Sequence, residues 1–193
     1  MQNALTFIFR TLLDLYIITF VLRFVLQWIR ADVRNPLTQF ILRVTNPLVI
    51  PVRRVVPPIS GIDTATVLVV LLLEILATAV LIQLACVGST DPGQVILIAI
   101  LRLIHLLLRI YLVVILVYVV LSWISPGTYN PAANLLAAIA EPVLQPIRRL
   151  IPPIAGLDLS PLFAIIGIQA VTMLLPAGRA MAGLICSSVG QPL

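Results

Sequence analysis

Several ionisable residues lie inside long apolar stretches of this sequence, where a charge is costly to keep. Asp14 and Arg109 each interrupt such a stretch, and Glu74 falls near the middle of another. At the centre of a bilayer a charged carboxylate costs at least about 2.5 kcal/mol, so it must be protonated, paired or in contact with water. The pattern predicts a polar seam that either conducts ions or protons or holds helices together. Its predicted members are Asp14, Glu74, His105, Arg109 and Gln169.

An internal repeat relates the two halves of the chain. Asn35–Asp63 and Asn130–Asp158 align without a gap and are identical at 11 of 29 positions, among them prolines, a glycine, an aspartate and two adjacent arginines. Chance does not explain agreement at residue types with such specific structural roles. We therefore divide the chain into two tandem repeats, residues 1–90 and 91–193.

The repeat also predicts which charges meet. An offset of 95 residues relates Asp14 to Arg109. Because the two apolar helices would run in the same direction, we expect these side chains to lie at similar depth and to form a salt bridge. Arg10, one helical turn before Asp14, is the local competitor for the carboxylate. Gln169 is the counterpart of Glu74 in the second repeat.

Each repeat carries a pair of arginines between prolines, in the segments PVRRVVPP and PIRRLIPP. Guanidinium groups near a membrane surface attract anionic lipid headgroups or an acidic segment of a partner protein. The same arginines could instead serve only as a signal for membrane orientation. The predicted lipid- or partner-binding residues are Arg53, Arg54, Arg148, Arg149, Pro57, Pro58, Pro152 and Pro153.

The elements that position these residues are predicted to be membrane-spanning helices. Hydrophobic residues make up 61% of the sequence and charged residues 10%, whereas soluble proteins average roughly 45–50% and 25%. Such a chain needs lipid as the solvent for most of its side chains. We predict an all-α membrane protein with four transmembrane helices in two parallel repeats. The predicted spans are residues 5–29, 64–86, 96–124 and 159–176.

A short amphipathic helix is predicted between the two spans of each repeat. After Pro36, apolar residues recur with helical spacing as far as Val44, and Pro131 begins the same pattern in the second repeat. This pattern is typical of a helix that lies in the membrane interface. We expect the helix to end before Pro47 or Pro142. The arginine-containing stretch that follows should not be a regular helix, because proline removes hydrogen-bond donors.

The distribution of arginines predicts an orientation in the membrane. Five arginines lie between residues 30 and 63, whereas residues 87–95 carry Asp91 and no positive charge. By the positive-inside rule, both proline- and arginine-rich segments are then cytoplasmic. With four spans, both termini lie outside.

The sequence carries no motif for catalysis or cofactor binding. Cys86 and Cys186 are too few for a disulfide framework or a zinc site, and we expect them to be unpaired rather than bridged. A single histidine disfavours histidine-based catalysis, and no P-loop, nucleophile elbow or dinucleotide fingerprint occurs. We expect no cofactor, no metal and no enzymatic activity. Nucleic-acid binding is not expected, because most arginines flank or enter apolar spans.

The second repeat resembles the YggT family of bacterial membrane proteins, also called YlmG-like. The resemblance rests on a long motif from Ser122 to Pro161, which includes SWISP, EPVLQPIRRLIPP and GLDLSP. It implies a multi-pass protein of the bacterial plasma (inner) membrane, with links to osmotic-stress tolerance, potassium handling and cell division. Plastid relatives are implicated in assembly of a cytochrome complex and in nucleoid organisation. The resemblance implies no catalytic residues.

These features predict a non-enzymatic membrane scaffold or assembly factor. Its partners would be the lipid bilayer, anionic headgroups and either other proteins or further copies of the chain. The alternative is a small channel or transporter component in ion homeostasis, which rests on the polar seam. Four spans are few for a pore, so that alternative needs an oligomer.

Overall fold

The computed structural model describes residues 2–58, 63–85, 91–124, 130–150 and 158–175. All regular structure within these ranges is helical, as the sequence predicted. The helices are α1 (Gln2–Trp28), α2 (Pro36–Val55), α3 (Thr64–Ala85), α4 (Pro92–Ile124), α5 (Pro131–Leu150) and α6 (Ser160–Leu174). Cys86 and Cys186, which we expect to be unpaired, lie outside the described residues.

Two of the helices, α3 and α4, are long and apolar enough to cross a membrane. α1 has 27 residues but carries Arg10, Asp14 and Arg23. α6 has only 15 residues, a length of about 22 Å at 1.5 Å per residue. The hydrocarbon core of a bilayer is about 30 Å thick. Length and composition therefore support two of the four predicted spans.

The prediction that the amphipathic helix of each repeat ends before its first inner proline is wrong. α2 includes Pro47 and Pro51 and ends at Val55. α5 likewise includes Pro142 and Pro146. Both arginine pairs therefore form the last turn of a helix, and the stretch that contains them is helical.

The position of the prolines explains why the helices continue. A proline leaves the carbonyl four residues earlier without its usual donor. Pro47 and Pro51 are one turn apart and both are exposed, so the carbonyls of Arg43 and Pro47 that lose donors lie on the outer side of α2. Water or lipid headgroups can hydrogen-bond to these carbonyls. The apolar residues on the opposite side, such as Val49, remain buried and hold the helix on the bundle.

The Asn-Pro pairs at residues 35–36 and 130–131 begin these two helices. The Asn35 side chain accepts a hydrogen bond from the Leu37 amide at 2.9 Å, and Asn130 accepts one from Ala132 at 2.9 Å. Asparagine is a favourable N-cap, and proline fits the first turn because its missing N–H is not needed there. The Asn35 amide also donates to the Pro131 carbonyl at 2.7 Å. The N-termini of α2 and α5 therefore lie side by side.

The bundle is held together by contacts between consecutive helices and across the two halves. α3 packs against both α1 and α4, while α2 packs on α1 and α3, and α5 and α6 pack on α4. Phe20, Ile115 and Leu144 are fully buried in the common core. Large apolar side chains such as Leu76 and Val113 point outward, where lipid would solvate them if these helices span a membrane.

Candidate functional site

An ion pair joins the end of α2 to the start of α3. The Arg53 guanidinium donates a hydrogen bond to Asp63 Oδ2, and the Thr66 hydroxyl donates to the same oxygen at 2.6 Å. Asp63 immediately precedes α3, so its carboxylate lies near the amide groups and positive dipole end of that helix. The ion pair therefore fixes where the chain leaves α2 and enters α3.

The environment of Asp63 favours its charged form. Burial opposes ionisation, but hydrogen bonds from Arg53 and Thr66 outweigh this effect and hold the pKa of Asp63 below its usual value. Only 7% of the residue is exposed. The carboxylate is thus a structural anion rather than a proton donor near neutral pH.

The second repeat contains an equivalent ion pair in a more open setting. Arg148 donates from Nε to Asp158 Oδ2 at 2.8 Å and from a terminal nitrogen to Glu141 Oε2 at 2.9 Å. The Ser160 amide donates to Asp158 Oδ1 at 2.9 Å. Burial opposes ionisation of Asp158 here too, and the bonds from Ser160 and Arg148 outweigh it and lower its pKa. Both repeats therefore use the first arginine of the pair to bind the aspartate of the Gly-x-Asp segment.

The two repeats differ in the side chain by which their first helix, α1 or α4, contacts the amphipathic helix that follows it. In the first repeat the buried Arg23 of α1 donates to Thr45 Oγ1 and Asn46 Oδ1, each at 2.8 Å. The residue 95 positions later is Tyr118, whose hydroxyl lies 3.5 Å from Arg148. Arg23 therefore contacts neutral acceptors in the first repeat. Its counterpart Tyr118 lies beside Arg148, which is itself paired with two carboxylates.

The predicted lipid- or partner-binding residues therefore divide into two groups. Arg53 and Arg148 are committed to ion pairs within the chain. Arg54 and Arg149 are exposed and make no ion pair with any described residue. The exposed Pro57 and Pro58 follow α2, and the Pro57 carbonyl accepts a hydrogen bond from Thr64 at 2.7 Å. Pro152 and Pro153 lie outside the described residues.

A second cluster of charges lies among the residues predicted to form the polar seam. Arg102 of α4 approaches Asp14 of α1 at 2.8 Å and Glu74 of α3 at 3.1 Å. The predicted Asp14–Arg109 salt bridge does not form. Arg102 is two turns before Arg109 on the same helix, and the packing of α1 and α4 brings the earlier arginine level with Asp14. Arg10, the predicted competitor, is 3.8 Å from Asp14 and makes only a weak contact.

This cluster borders a cavity of about 800 Å³ between α1, α3 and α4, with Thr172 of α6 at its edge. Glu74, His105 and Arg109 line the cavity, as does Asp14. The His105 ring nitrogen Nδ1 donates a hydrogen bond to the Leu101 carbonyl at 2.9 Å. The structure thus brings four of the five predicted seam residues together. Gln169 is exposed elsewhere on α6 and does not join them.

Several residues at these sites escaped the sequence reasoning. Arg102 is an arginine inside an apolar stretch and was therefore a candidate partner for Asp14. The offset of 95 residues between the repeats favoured Arg109 instead. Asp63 and Asp158 were identified as repeated residues, and their recurrence with the arginine pair was the signal for an ion pair. Arg23 gave no signal, because its repeat counterpart is a tyrosine. Among the described residues, no group of three His, Cys, Asp or Glu side chains could hold a metal ion.

Known proteins resemble the chain over most of its length. The CCB3/YggT family model matches residues 2–84 and again residues 97–178. An uncharacterised protein of Pseudomonas aeruginosa is 39% identical over 177 residues, which cover 90% of this chain and 89% of that protein. The uncharacterised protein YggT of Escherichia coli is 36% identical over 172 residues, 89% of each chain. No solved structure matches the chain.

A plant relative matches a shorter part of the chain. The chloroplastic YlmG homolog protein 2 of Arabidopsis thaliana is 39% identical over 65 residues, 34% of this chain and 26% of that protein. The proteins of Pseudomonas aeruginosa and Escherichia coli, by contrast, match over about nine tenths of their length. The resemblance noted from the motif is confirmed, and the chain belongs to the CCB3/YggT family.

Proposed function

We propose that this protein is a non-enzymatic scaffold or assembly factor of the bacterial inner membrane, acting through a surface formed by α2 and α5. The observation that carries the proposal is the hydrogen bond from the Asn35 side chain to the Pro131 carbonyl, 2.7 Å long, which joins the N-termini of the two amphipathic helices. Unconnected amphipathic helices would offer two small contacts. Helices that meet at their N-termini offer one continuous surface.

The chemistry of this surface suits an anionic or amphipathic partner. α2 exposes apolar side chains such as Leu37, Phe40 and Ile50. Arg54 and Arg149 lie in the last turns of α2 and α5 and take no part in the ion pairs formed by Arg53 and Arg148. Exposed apolar residues beside cationic helix ends are typical of surfaces that contact lipid headgroups or acidic protein segments.

The proposed setting has four spans, with α2 and α5 on the cytoplasmic side and both termini outside. The charges of α1 do not prevent it from crossing, because Asp14 is paired with Arg102 and Arg23 is buried against α2. The short α6 would cross with local thinning of the bilayer. The arginines around α2 support a cytoplasmic position for this surface by the positive-inside rule.

The double substitution Arg54→Glu with Arg149→Glu tests the scaffold role. Cross-linking in native membranes, followed by identification of co-purifying proteins, should show loss of the main partners in this variant, with membrane insertion unchanged. A matched control replaces Arg30 and Arg34, two exposed arginines that precede α2, with glutamate and should keep those partners. Growth at high osmolarity gives a second readout. The same partners and the same growth in all three proteins would exclude the proposal.

A second candidate is a channel or transporter component that uses the cavity between α1, α3 and α4. Three arginines and two carboxylates line the cavity among the described residues, so its charge favours anions over potassium. Proteoliposomes containing the purified chain would test this function by flux of chloride and of potassium. If neither chloride nor potassium crosses the proteoliposome membrane, and Glu74→Gln grows like the parent, this candidate is excluded.

A further inference from the structure

A stripe of apolar side chains on α2 is exposed in the described part of the chain. Its members recur at intervals of three, four and seven residues, which places them on one side of the helix: Leu37, Phe40, Val44, Leu48 and Val55. All but Val44 are exposed, and Phe40 is 63% exposed. The side that packs on the bundle is a different one and carries Thr45 and Val49. Apolar area left in water is unfavourable, so the stripe needs a further contact.

The equivalent stripe of α5 is buried. Leu135 stands at the position of Phe40 and is 7% exposed, and Ile139 stands at the position of Val44 and is 3% exposed. Within α5, which the structure describes completely, Leu150 at the last position is the one large apolar side chain that is exposed. The bundle itself therefore covers this side of α5. On α2 no described residue covers the same side.

The two helices also differ in charge. Residues 30–58 contain five arginines and one aspartate, whereas the equivalent residues 125–153 contain two arginines and one glutamate. Arg43 and Arg54 lie about three turns apart on the side of α2 next to the stripe, and both are exposed. Ala138 takes the place of Arg43 in α5. An apolar stripe with arginines on the adjoining side is typical of a helix that lies in the plane of an anionic membrane surface.

The neighbours of α2 bring the stripe to a membrane surface. α2 joins α1 to α3 and packs on both. Arg23, near the C-terminal end of α1, contacts Thr45 in the middle of α2. α1 ends at Trp28, which is 64% exposed, and tryptophan at the end of a membrane-spanning helix favours the headgroup region. If α1 and α3 span the bilayer, the lipid headgroups therefore lie at the level of α2.

We propose that the apolar stripe of α2 lies in an anionic lipid surface, and that α5 makes no such contact. The stripe then contacts the outer part of the acyl chains, and Arg43 binds lipid phosphate. The inference rests on the proposed function for the position of α2 at one face of the membrane. It also deepens that function, because lipid covers the apolar side of α2 and leaves α5 as the part of the surface that a protein partner contacts.

Fluorescence quenching in vesicles of phosphatidylcholine and phosphatidylglycerol tests the contact. The full-length chain, with Cys86 and Cys186 replaced by alanine, carries one environment-sensitive fluorophore on the cysteine of Phe40→Cys. A lipid nitroxide near the headgroup end of the acyl chain should quench this fluorophore, because an interfacial helix buries its apolar side by about 5–10 Å. Aqueous iodide should quench it little. The matched control is Gln39→Cys, on the neighbouring side of α2, which iodide should quench more strongly and the lipid nitroxide less strongly.

The headgroup preference is measured with the nitroxide placed either on phosphatidylglycerol or on phosphatidylcholine. At Phe40→Cys the anionic lipid should be preferred about fivefold, the ratio that corresponds to about 1 kcal/mol for one arginine near a charged surface. Arg43→Gln should remove most of this preference, whereas Arg43→Lys should keep it because the charge remains. A fluorophore on Ala138→Cys of α5 should show no preference.

Equal quenching of Phe40→Cys and Gln39→Cys by iodide would place the stripe in water and overturn the proposal. Protection of Phe40→Cys from both quenchers would also overturn it, because protein, such as a second copy of the chain, would then cover the stripe. So would the same lipid preference at Ala138→Cys as at Phe40→Cys, or a preference that survives Arg43→Gln. The vesicles contain no partner protein, so each of these results is separate from the loss of partners that tests the scaffold role.

Discussion

At the scale of single residues, the two Arg–Asp ion pairs differ in how much they stabilise the fold. Asp63 is buried and receives hydrogen bonds from Arg53 and from Thr66 at 2.6 Å. Asp158 is more exposed, and its partner Arg148 is shared with Glu141. A buried carboxylate with several donors contributes more than an exposed pair, which solvent screens.

The first prediction compares Asp63→Asn with Asp158→Asn. We expect Asp63→Asn to lower the free energy of unfolding by about 1–2 kcal/mol, a range that allows for the partial exposure of Arg53. Asp158→Asn should cost less than about 1 kcal/mol. Thermal unfolding in detergent, followed by circular dichroism, measures both. Equal losses would mean that burial of Asp63 does not strengthen its ion pair.

The lowered pKa of Asp63 adds a pH dependence to this comparison. A depressed pKa in the folded state stabilises the protein above the unfolded pKa, about 3.9 for aspartate. That contribution is lost as the pH falls through the lower, folded value. The unfolding temperatures of the parent and of Asp63→Asn should therefore converge below about pH 4. Parallel curves across this range would contradict the assigned pKa direction.

At the scale of elements, α2 and α5 are the unusual helices because each contains two inner prolines. In α2 both prolines lie on the exposed side, where the carbonyls that lose donors can be solvated. The buried side carries Thr38, Thr45 and Val49. Helix stability here comes from packing of that buried side, which outweighs the poor helix propensity of proline.

The second prediction concerns Pro47→Ala. Alanine restores an amide that can donate to the Arg43 carbonyl, which stabilises α2. Alanine also makes the unfolded chain more flexible than proline does, which offsets part of this gain. We therefore expect a net stabilisation of about 1–2 kcal/mol. Amide hydrogen exchange in α2 should slow relative to that in α5, which serves as the internal control. Faster exchange in α2 would show that the proline is needed for its packing on α1 and α3.

At the scale of the whole molecule, the two charged regions lie in different parts of the bundle. The cavity is lined by side chains between residues 7 and 18 of α1 and between residues 98 and 109 of α4, whereas Arg23, near the C-terminal end of α1, contacts α2. If α1, α3 and α4 span the bilayer, the α2–α5 surface and the cavity lie at different depths. Contacts made at one of these regions then need not involve the other.

The third prediction tests the proposed orientation. In a background with Cys86 and Cys186 replaced by alanine, a cysteine at Asp91 should react with a membrane-impermeant maleimide in intact cells. A cysteine at Arg34 should react only after the membrane is opened, because α3 separates the two positions. Labelling of both positions in intact cells would contradict the passage of α3 through the membrane, and labelling of Arg34→Cys alone would invert the orientation.

Sequence reasoning reached the helical class, the family and most helix boundaries because these depend on local composition and spacing. The stretches predicted as spans at residues 64–86 and 96–124 correspond to α3 and α4, although α4 begins four residues earlier at Pro92. The continuation of α2 through Pro47 could not be predicted in the same way. It depends on which side of the helix the bundle covers, and that is a property of the packed structure.

The charges inside the apolar helices show most clearly which features follow from the sequence and which depend on packing. The sequence by itself determined that Asp14 and Glu74 need partners, because a lone carboxylate in an apolar helix is costly wherever it lies. Only the tertiary structure decided that Arg102 serves both and that Arg109 remains available at the cavity. A repeat offset relates positions along the chain, whereas a salt bridge depends on the relative depth and rotation of packed helices. Those two quantities are set by all the side chains at the interface together.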